Sequence, residues 1–361
     1  MTARTEVDVA VVGGGPAGAA CALALARVGR SVALIDRGRT PRRGETVLPV
    51  LAPILVELGI WDPFLGDGHL PCHAVESAWA GAETSTHAIT SPYGPGWHLD
   101  RPRFDRRIRD AAVAAGAALH IGVVHGRARI DERGAHLALP GGAIVARMVV
   151  DATGRTGRVA PVARQHHDRL IAVQATCDGP APDQVLSVEP VPDGWWYAAP
   201  LSARELVVVL LTDREHVPPA DQRAAWFRHA LQQTIRTRAR VGDRACGSLQ
   251  MFAAHTACLQ RAAGPGWVAV GDAARAYDPL SGSGVVHALR DGVTAAAAVV
   301  AALDGDDAAL LAYADAIAAR FVRYLGDRAA YYRCERRWPT APFWQRRTTP
   351  ILADPPGPSG H

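Results

Sequence analysis

The chain has 361 residues, 48% hydrophobic and 20% charged, with a formal charge of +4. Those values fit a globular enzyme of one large or two intimate domains, and so small a net charge excludes nucleic acid as the expected partner. All 39 basic residues are arginine; lysine and asparagine do not occur, so chemistry that needs a lysine amine is unavailable.

Residues 7–12 form an apolar run that reads as a buried parallel strand. The turn Gly13-Gly14-Gly15-Pro16-Ala17-Gly18 follows, then a helix over 16–29 and a second strand over 31–36. In this βαβ setting Gly13 permits the tight turn and Gly15 lets the backbone approach a pyrophosphate. Gly18 allows close helix–strand packing, while Pro16 and Ala17 open a helix whose N-terminus faces the phosphates. Asp36, followed by Arg37, stands where an acid accepts ribose hydroxyls. No second turn of this kind occurs. A separate nicotinamide domain is therefore not expected, and electrons come from transiently bound NAD(P)H or from an external reduced flavin.

A helix is expected over 48–58, and short strands of a different sheet over 74–80 and 84–89. A helix over 102–115 follows, then strands over 119–130 and 135–139, and a return to the first sheet over 144–150. That strand ends in Asp151-Ala152-Thr153-Gly154. Strands over 170–176, 184–188, 195–199 and 206–212 form a second block, closed by a helix over 220–240 and a strand over 249–254. The most apolar run, 295–303, is too short to span a membrane. Helices are expected over 285–303 and from 307 to about 332, and a disordered tail after Pro350.

The segment after the apolar run 267–270 is the most specific. Gly271-Asp272 is followed by Tyr277-Asp278-Pro279-Leu280-Ser281-Gly282-Ser283-Gly284, which opens an Ala/Val-rich helix. Asp272 at a strand tip can hold a ribitol or ribose hydroxyl. The helix start beyond Gly284 and Val285 offers N–H groups and a positive dipole end to an electron-rich ring edge. Paired with the first glycine turn, this says that the dinucleotide is FAD. The order of segments gives an α/β chain: an FAD unit over 1–72, 97–165 and 258–305, an inserted substrate sheet over 73–96 and 166–257, and C-terminal helices over 306–349.

With Gly13–Gly18, Asp36, Asp100-Arg101 through Phe104-Asp105, Asp151–Gly154 and Gly271-Asp272 in place, the chain resembles flavin monooxygenases, flavin-dependent halogenases and geranylgeranyl-reductase-like proteins. The resemblance covers nearly the whole chain. It implies a Rossmann-like FAD domain of the glutathione-reductase type, in its aromatic-hydroxylase variant. It also implies that Arg101 lies along the FAD, that Asp272 binds the flavin chain, and that Pro279 and Gly282 to Val285 lie beside the ring. Narrower stretches, Gly44-Glu45, Pro92 to Arg101, Gly194 to Leu201 and Arg336 to Trp344, are similar to halogenase-like maturation flavoproteins. Those accompany amine oxidases with tryptophan-derived quinones or modify tryptophan in peptides. Tryptophan halogenases depend on a lysine, and this chain has none, so the resemblance implies oxygen insertion rather than halogenation.

That reading makes the protein an FAD-dependent monooxygenase acting on tryptophan in a peptide or partner protein, with molecular oxygen as co-substrate. The cofactor carries the oxygen chemistry; the protein must exclude water and hold an electron-rich ring at the flavin edge. Glu45 and Asp278 are the candidate acid/base groups, with a salt bridge to Arg42 or Arg43, or a ribose contact to the cofactor, the alternatives for Glu45 and a turn cap the alternative for Asp278. Trp196 and Tyr197 are candidates to line the cavity or to pack in the core. Strand alternation lets only one of Trp195 and Trp196 face the flavin. A reductase of an isoprenoid-like substrate and a non-catalytic assembly factor are the rival readings.

Eight arginines against Asp327 and Glu335 make residues 320–347 strongly basic, either a solvated face or a docking surface for the partner. His287 near the ring reads as a packed or capping residue. The histidines, His98 and His166-His167 included, form no metal constellation, and no metal is expected. The six cysteines show no CxxC spacing. Reduced thiols, a cytoplasmic location and no membrane partner are expected, with no targeting segment ahead of the first strand.

Overall fold

The computed structural model describes residues 3–38, 44–81, 84–88, 91–180 and 183–348. Arg42, Arg43 and the tail from Pro350 lie outside those residues. The first sheet is parallel at its centre. Gly142–Asp151 pairs with Ala3–Val12, which pairs with Val32–Asp36, and Ala118–Ile121 lies beyond. Trp267–Ala269 adds on the other side of Gly142–Asp151. Its central apolar strands are buried on both faces, as a sheet covered by helices requires, while the edge strand Ala118–Ile121 is largely exposed.

Register decides where the site falls. Val12 sits opposite both Ile35 and Asp151, and Ala269 sits opposite Asp151. Four strands therefore end level. The glycine turn, Asp36, the Asp151–Gly154 loop and the Gly271 turn all leave the same sheet edge, where ligands of open α/β sheets bind.

Helix Pro16–Arg27 packs on this sheet and against helix Gly284–Leu303. The two approach closely at Gly292, where a Cβ would stand 2.3 Å from the Ala17 carbonyl oxygen. Helix Gly284–Leu303 is 20 residues long, and by length and composition alone it is apolar enough to cross a membrane. The expectation drawn from 295–303 was too short a run. Half of the helix is buried inside the protein, packed as a core helix.

The second large sheet has seven strands in the order Gln250–Ala253, Leu170–Asp178, Glu205–Asp213, Gly194–Ser202, Val185–Val191, Ala74–Ser77 and Thr84–His87. All pairs are antiparallel except Val185–Val191 with Ala74–Ser77. Three expected elements differ. The strand expected over 74–80 stops at Ser77, because the chain turns at Trp79–Gly81 with Ala80 at φ 60°. The strand over 119–130 is two, Ala118–Ile121 and His125–Asp131. The helix over 220–240 breaks into Arg223–Gln232 and Arg236–Val241, because buried Glu189 accepts the N–H groups of Ile235, Arg236 and Thr237 and starts a new helix there.

The expectation of six reduced thiols is corrected. Cys177 and Cys246 are disulfide-bonded, joining the second sheet to the segment after Arg236–Val241 across 69 residues, while Cys21, Cys72, Cys258 and Cys334 are free. Sequence spacing missed the bond because its partners meet only through sheet pairing. Denatured without reductant, the chain should yield four titratable thiols, and six after reduction; six in both states contradicts the bond.

Candidate active site

The glycine turn has no slack. Gly13 adopts φ +117°, and a Cβ there would stand 2.1 Å from the Ala152 carbonyl oxygen. A Cβ on Gly18 would stand 1.9 Å from the Gly13 carbonyl oxygen. Gly15 is different: nothing lies within 4 Å of its Cβ position, and as N-cap it leaves the first N–H groups of helix Pro16–Arg27 without a side-chain cap. This open cradle, uncapped donors and a facing acid fit FAD. Asp36 accepts from Gly14 N at 3.0 Å and from Gly38 N at 2.6 Å, with the Arg109 guanidinium 3.6 Å away. Arg37 lines the same cavity.

Arg101 opens helix Arg101–Ala114, capped by Asp100. It pairs with Asp105 at 2.9 Å and with Glu45 on strand Glu45–Val47. Glu45 thus forms an ion pair, but with Arg101. Asp272 pairs with Arg155 at 3.2 Å. Arg155 also donates to the His255 and Tyr277 carbonyls, and Arg164 donates to those of Asp272 and Ala273. These two arginines stitch the Gly271 turn in place and were not singled out from the sequence. Their signal was the arginine-rich stretch after Asp151-Ala152-Thr153-Gly154.

Asp278 is 1% exposed. One oxygen accepts from Leu280 N; the other accepts from Arg328 Nε at 3.2 Å and from the Tyr332 hydroxyl at 2.8 Å. With both oxygens engaged, Asp278 anchors the turn through Pro279 and Gly282, which is at φ +58°, rather than presenting a free base. His287 packs its ring on Tyr277 at 4.9 Å. Burial lowers its pKa to about 4.

A cavity of about 780 Å³ runs from the glycine turn past Asp272, Pro279, Gly282, Gly284 and Val285 to one face of the second sheet. That face contributes Ala172, Gln174, Val188, Trp195, Tyr197, Val209 and Leu211. Alternate residues along each strand point here, so Trp196 points away. The Trp196 candidacy for the cavity is corrected: it is 0% exposed and packs on Phe227 at 5.0 Å, on the opposite side of the sheet. Trp195 takes the cavity side and donates to the Tyr332 hydroxyl at 3.1 Å.

Of the arginines in the basic C-terminal stretch, Arg328 and Arg347 turn inside and the others stay at the surface. Arg328 bridges Asp168 and Asp278, Arg347 binds Asp213, and Arg337 binds Glu335. Trp344 is buried and donates to the Val191 carbonyl. Among the described residues no His/Cys/Asp/Glu group has metal-holding geometry.

His98 is 3% exposed, and its Nδ1 lies 2.8 Å from the Thr46 hydroxyl. Burial lowers its pKa from 6.5 to about 4. The unfolded chain therefore binds a proton between those values that the folded protein refuses. Stability is full above pH 6.5 and falls as pH drops towards 4, by about 3 kcal/mol from this residue. Thermal melts from pH 7 to pH 4 check it; a flat profile contradicts it.

Comparison with known proteins places this geometry. The FAD dependent oxidoreductase family matches residues 8–47, from the first strand through Glu45, and the protein is an FAD-dependent oxidoreductase. The tryptophan halogenase family matches residues 64–356, and the chain belongs to it. The putative FAD-dependent oxidoreductase LodB of Marinomonas mediterranea is 28% identical, over 94% of this chain and 96% of its own. The myxobacterial chondrochloren halogenase CndH superposes with a TM-score of 0.86 at 22% identity, over 95% of this chain and 86% of its own. QhpG, a peptidyl tryptophan dihydroxylase essential for tryptophylquinone cofactor biogenesis, superposes with a TM-score of 0.82 at 24% identity, over 97% and 80%. CndH and QhpG share the fold of this chain.

Proposed function

We propose that this protein is an FAD-dependent monooxygenase that hydroxylates a tryptophan side chain presented by a peptide or partner protein. The observation that carries the reading is the cavity itself. It joins an FAD cradle to an aromatic and aliphatic sheet face, in a chain without any lysine. FAD, when bound, supplies the oxygen chemistry. Gly13, Gly15, Gly18 and Asp36 would hold its dinucleotide end, and Arg101 and Asp272 its central chain. The Pro279–Val285 turn would flank the ring.

The protein's own contribution is enclosure. Val188, Val209 and Leu211 exclude water, and Trp195 and Tyr197 offer flat walls to an indole. The dihydroxylase activity named for QhpG supports this substrate class. The lack of lysine sets the chain apart from halogenation despite its family. Glu45, the candidate base, sits beside the cavity but is drawn to Arg101.

A partner would enter beside Tyr331, which lines the cavity and is 46% exposed. Arg337 is tied to Glu335, so the docking test narrows to Arg333 and Arg336. Reversing both charges is expected to weaken partner binding several-fold while flavin content stays unchanged. Equal binding rejects the surface.

Product analysis separates the readings. A tryptophan peptide incubated with protein, FAD, NAD(P)H or reduced flavin, and oxygen should gain about 16 Da per oxygen inserted. Turnover of an isoprenoid without oxygen supports a reductase instead.

A further inference from the structure

An unbroken row of oxidisable rings leads from the cavity wall to the surface. Trp195 lines the cavity, and its ring centroid lies 6.4 Å from that of Trp79. Trp79 lies 5.3 Å from Trp344, and Trp344 stacks on Trp338 at 5.7 Å. Tyr332 sits inside the row, 5.5 Å from Trp79 and 5.8 Å from Trp344. These are the separations of rings in direct contact. Trp195, Tyr332 and Trp344 are at most 2% exposed, whereas Trp338 is half-buried and meets solvent. Packing alone does not ask for such rings, because phenylalanine fills a core as well. Indole and phenol differ from it in giving up an electron readily.

Hydrogen bonds of fixed direction run beside the row. The Trp195 indole can only donate, and it donates to the Tyr332 oxygen at 3.1 Å. The Tyr332 hydroxyl in turn donates to Asp278 Oδ2 at 2.8 Å. A phenol loses an electron far more easily when an acceptor stands ready for its proton, and Asp278 is that acceptor.

We propose that Trp195, Trp79, Tyr332, Trp344 and Trp338 form an electron-transfer chain that carries oxidising equivalents out of the cavity. The inference rests on the oxygen chemistry of the reading above, not on its tryptophan substrate. Stray oxygen chemistry leaves an oxygen-centred radical, a one-electron oxidant, beside the wall. That radical takes one electron from Trp195 and a proton from water. Trp79 or Tyr332 returns the electron to Trp195. When Tyr332 gives it, the phenolic proton moves to Asp278, and it comes back when Trp344 reduces Tyr332. Trp338 then reduces Trp344, and a thiol or ascorbate in solution reduces Trp338 and releases a proton. The net exchange is one electron and one proton from that reductant to the radical.

The test is a map of oxygen adducts. FAD-loaded protein, without peptide, is reduced with dithionite and reoxidised with oxygen over repeated cycles. Catalase and superoxide dismutase are present to remove oxidants from solution. Peptide mass spectrometry then locates the adducts. In wild type they should gather at Trp338, several-fold above Trp226, which is also half-buried but packs in the core on the other side of the sheet. Among the described residues Trp338 meets the row only through Trp344. Trp344→Phe should therefore drop the Trp338 adducts to the Trp226 level and raise those at Trp79 and Trp195. Trp338→Phe, at the half-buried end, serves if the buried substitution does not fold, and should raise adducts at Trp344. Adducts spread by exposure alone, no adducts, or a Trp338 signal that survives Trp344→Phe overturns the chain. Each of these leaves the tryptophan reading standing, since no peptide is present. Failure of the reduced protein to consume oxygen overturns both.

Discussion

Gly18→Ala is expected to yield a folded protein that has lost its flavin. The new Cβ would stand 1.9 Å from the Gly13 carbonyl oxygen and 2.8 Å from the Ala152 side chain. Neither neighbour can yield easily. Gly13 is at φ +117°, wedged against Ala152, and Ala152 follows the central strand Gly142–Asp151. The relief available is to push the helix Pro16–Arg27 or the turn away from the sheet, which displaces the open cradle at Gly15. Overpacking of this kind costs about 1–3 kcal/mol of stability, small enough to leave the fold standing. The same shift removes the backbone geometry that a pyrophosphate needs. Flavin-to-protein absorbance after purification should fall from near one per chain to background, with far-ultraviolet circular dichroism retained. Gly326→Ala, on the exposed side of helix Ala308–Cys334 with nothing within 4 Å, is the control and should keep its flavin. Full flavin content in Gly18→Ala would show that the cofactor does not depend on this turn.

Arg328→Met should be among the most destabilising single changes in the chain. Arg328 is 6% exposed and binds two buried carboxylates, Asp168 at 2.7 Å and Asp278 at 3.2 Å. Asp168 also accepts from Leu170 N and Thr256 N, and Asp278 from Leu280 N and Tyr332. One guanidinium thus pins the long C-terminal helix to the start of the second sheet and to the flavin turn. Methionine fills most of the volume but leaves two acids in the interior without their cation. Breaking a buried pair in this way costs about 3–5 kcal/mol. Denaturant melts should show that loss, and Arg328→Met combined with Asp168→Asn should recover part of it through coupling. A loss under about 1 kcal/mol, the scale of an exposed pair, would contradict the bridge.

Much of the FAD half was legible because its signals are local. The turn at Gly13, the acid at Asp36 and the Gly271–Gly284 segment lie next to strand ends, and backbone geometry there follows from residue type. What stayed hidden depends on long-range pairing. Arg155 reaches Asp272 across 117 positions of chain, and Cys177 reaches Cys246 across 69. The choice between Trp195 and Trp196 was a matter of register. Alternation allowed one of them to face the cavity, but the parity came from pairing with Glu205–Asp213, which the sequence does not display. Asp278 was seen as a candidate acid, while its anchor Arg328 lies 50 residues on. The arginine-rich C-terminus showed its charge but not that Arg328 and Arg347 turn inward.

The central claim is oxygen insertion into a tryptophan held in the cavity. The FAD-loaded protein should be incubated with a tryptophan peptide, a reductant, chloride or bromide, and oxygen labelled with the heavy isotope, and the peptide mass read. The account predicts a gain of about 18 Da per labelled oxygen, carried on the indole and absent in the Gly18→Ala protein. Incorporation of halogen, or a product formed equally well without oxygen, would contradict it.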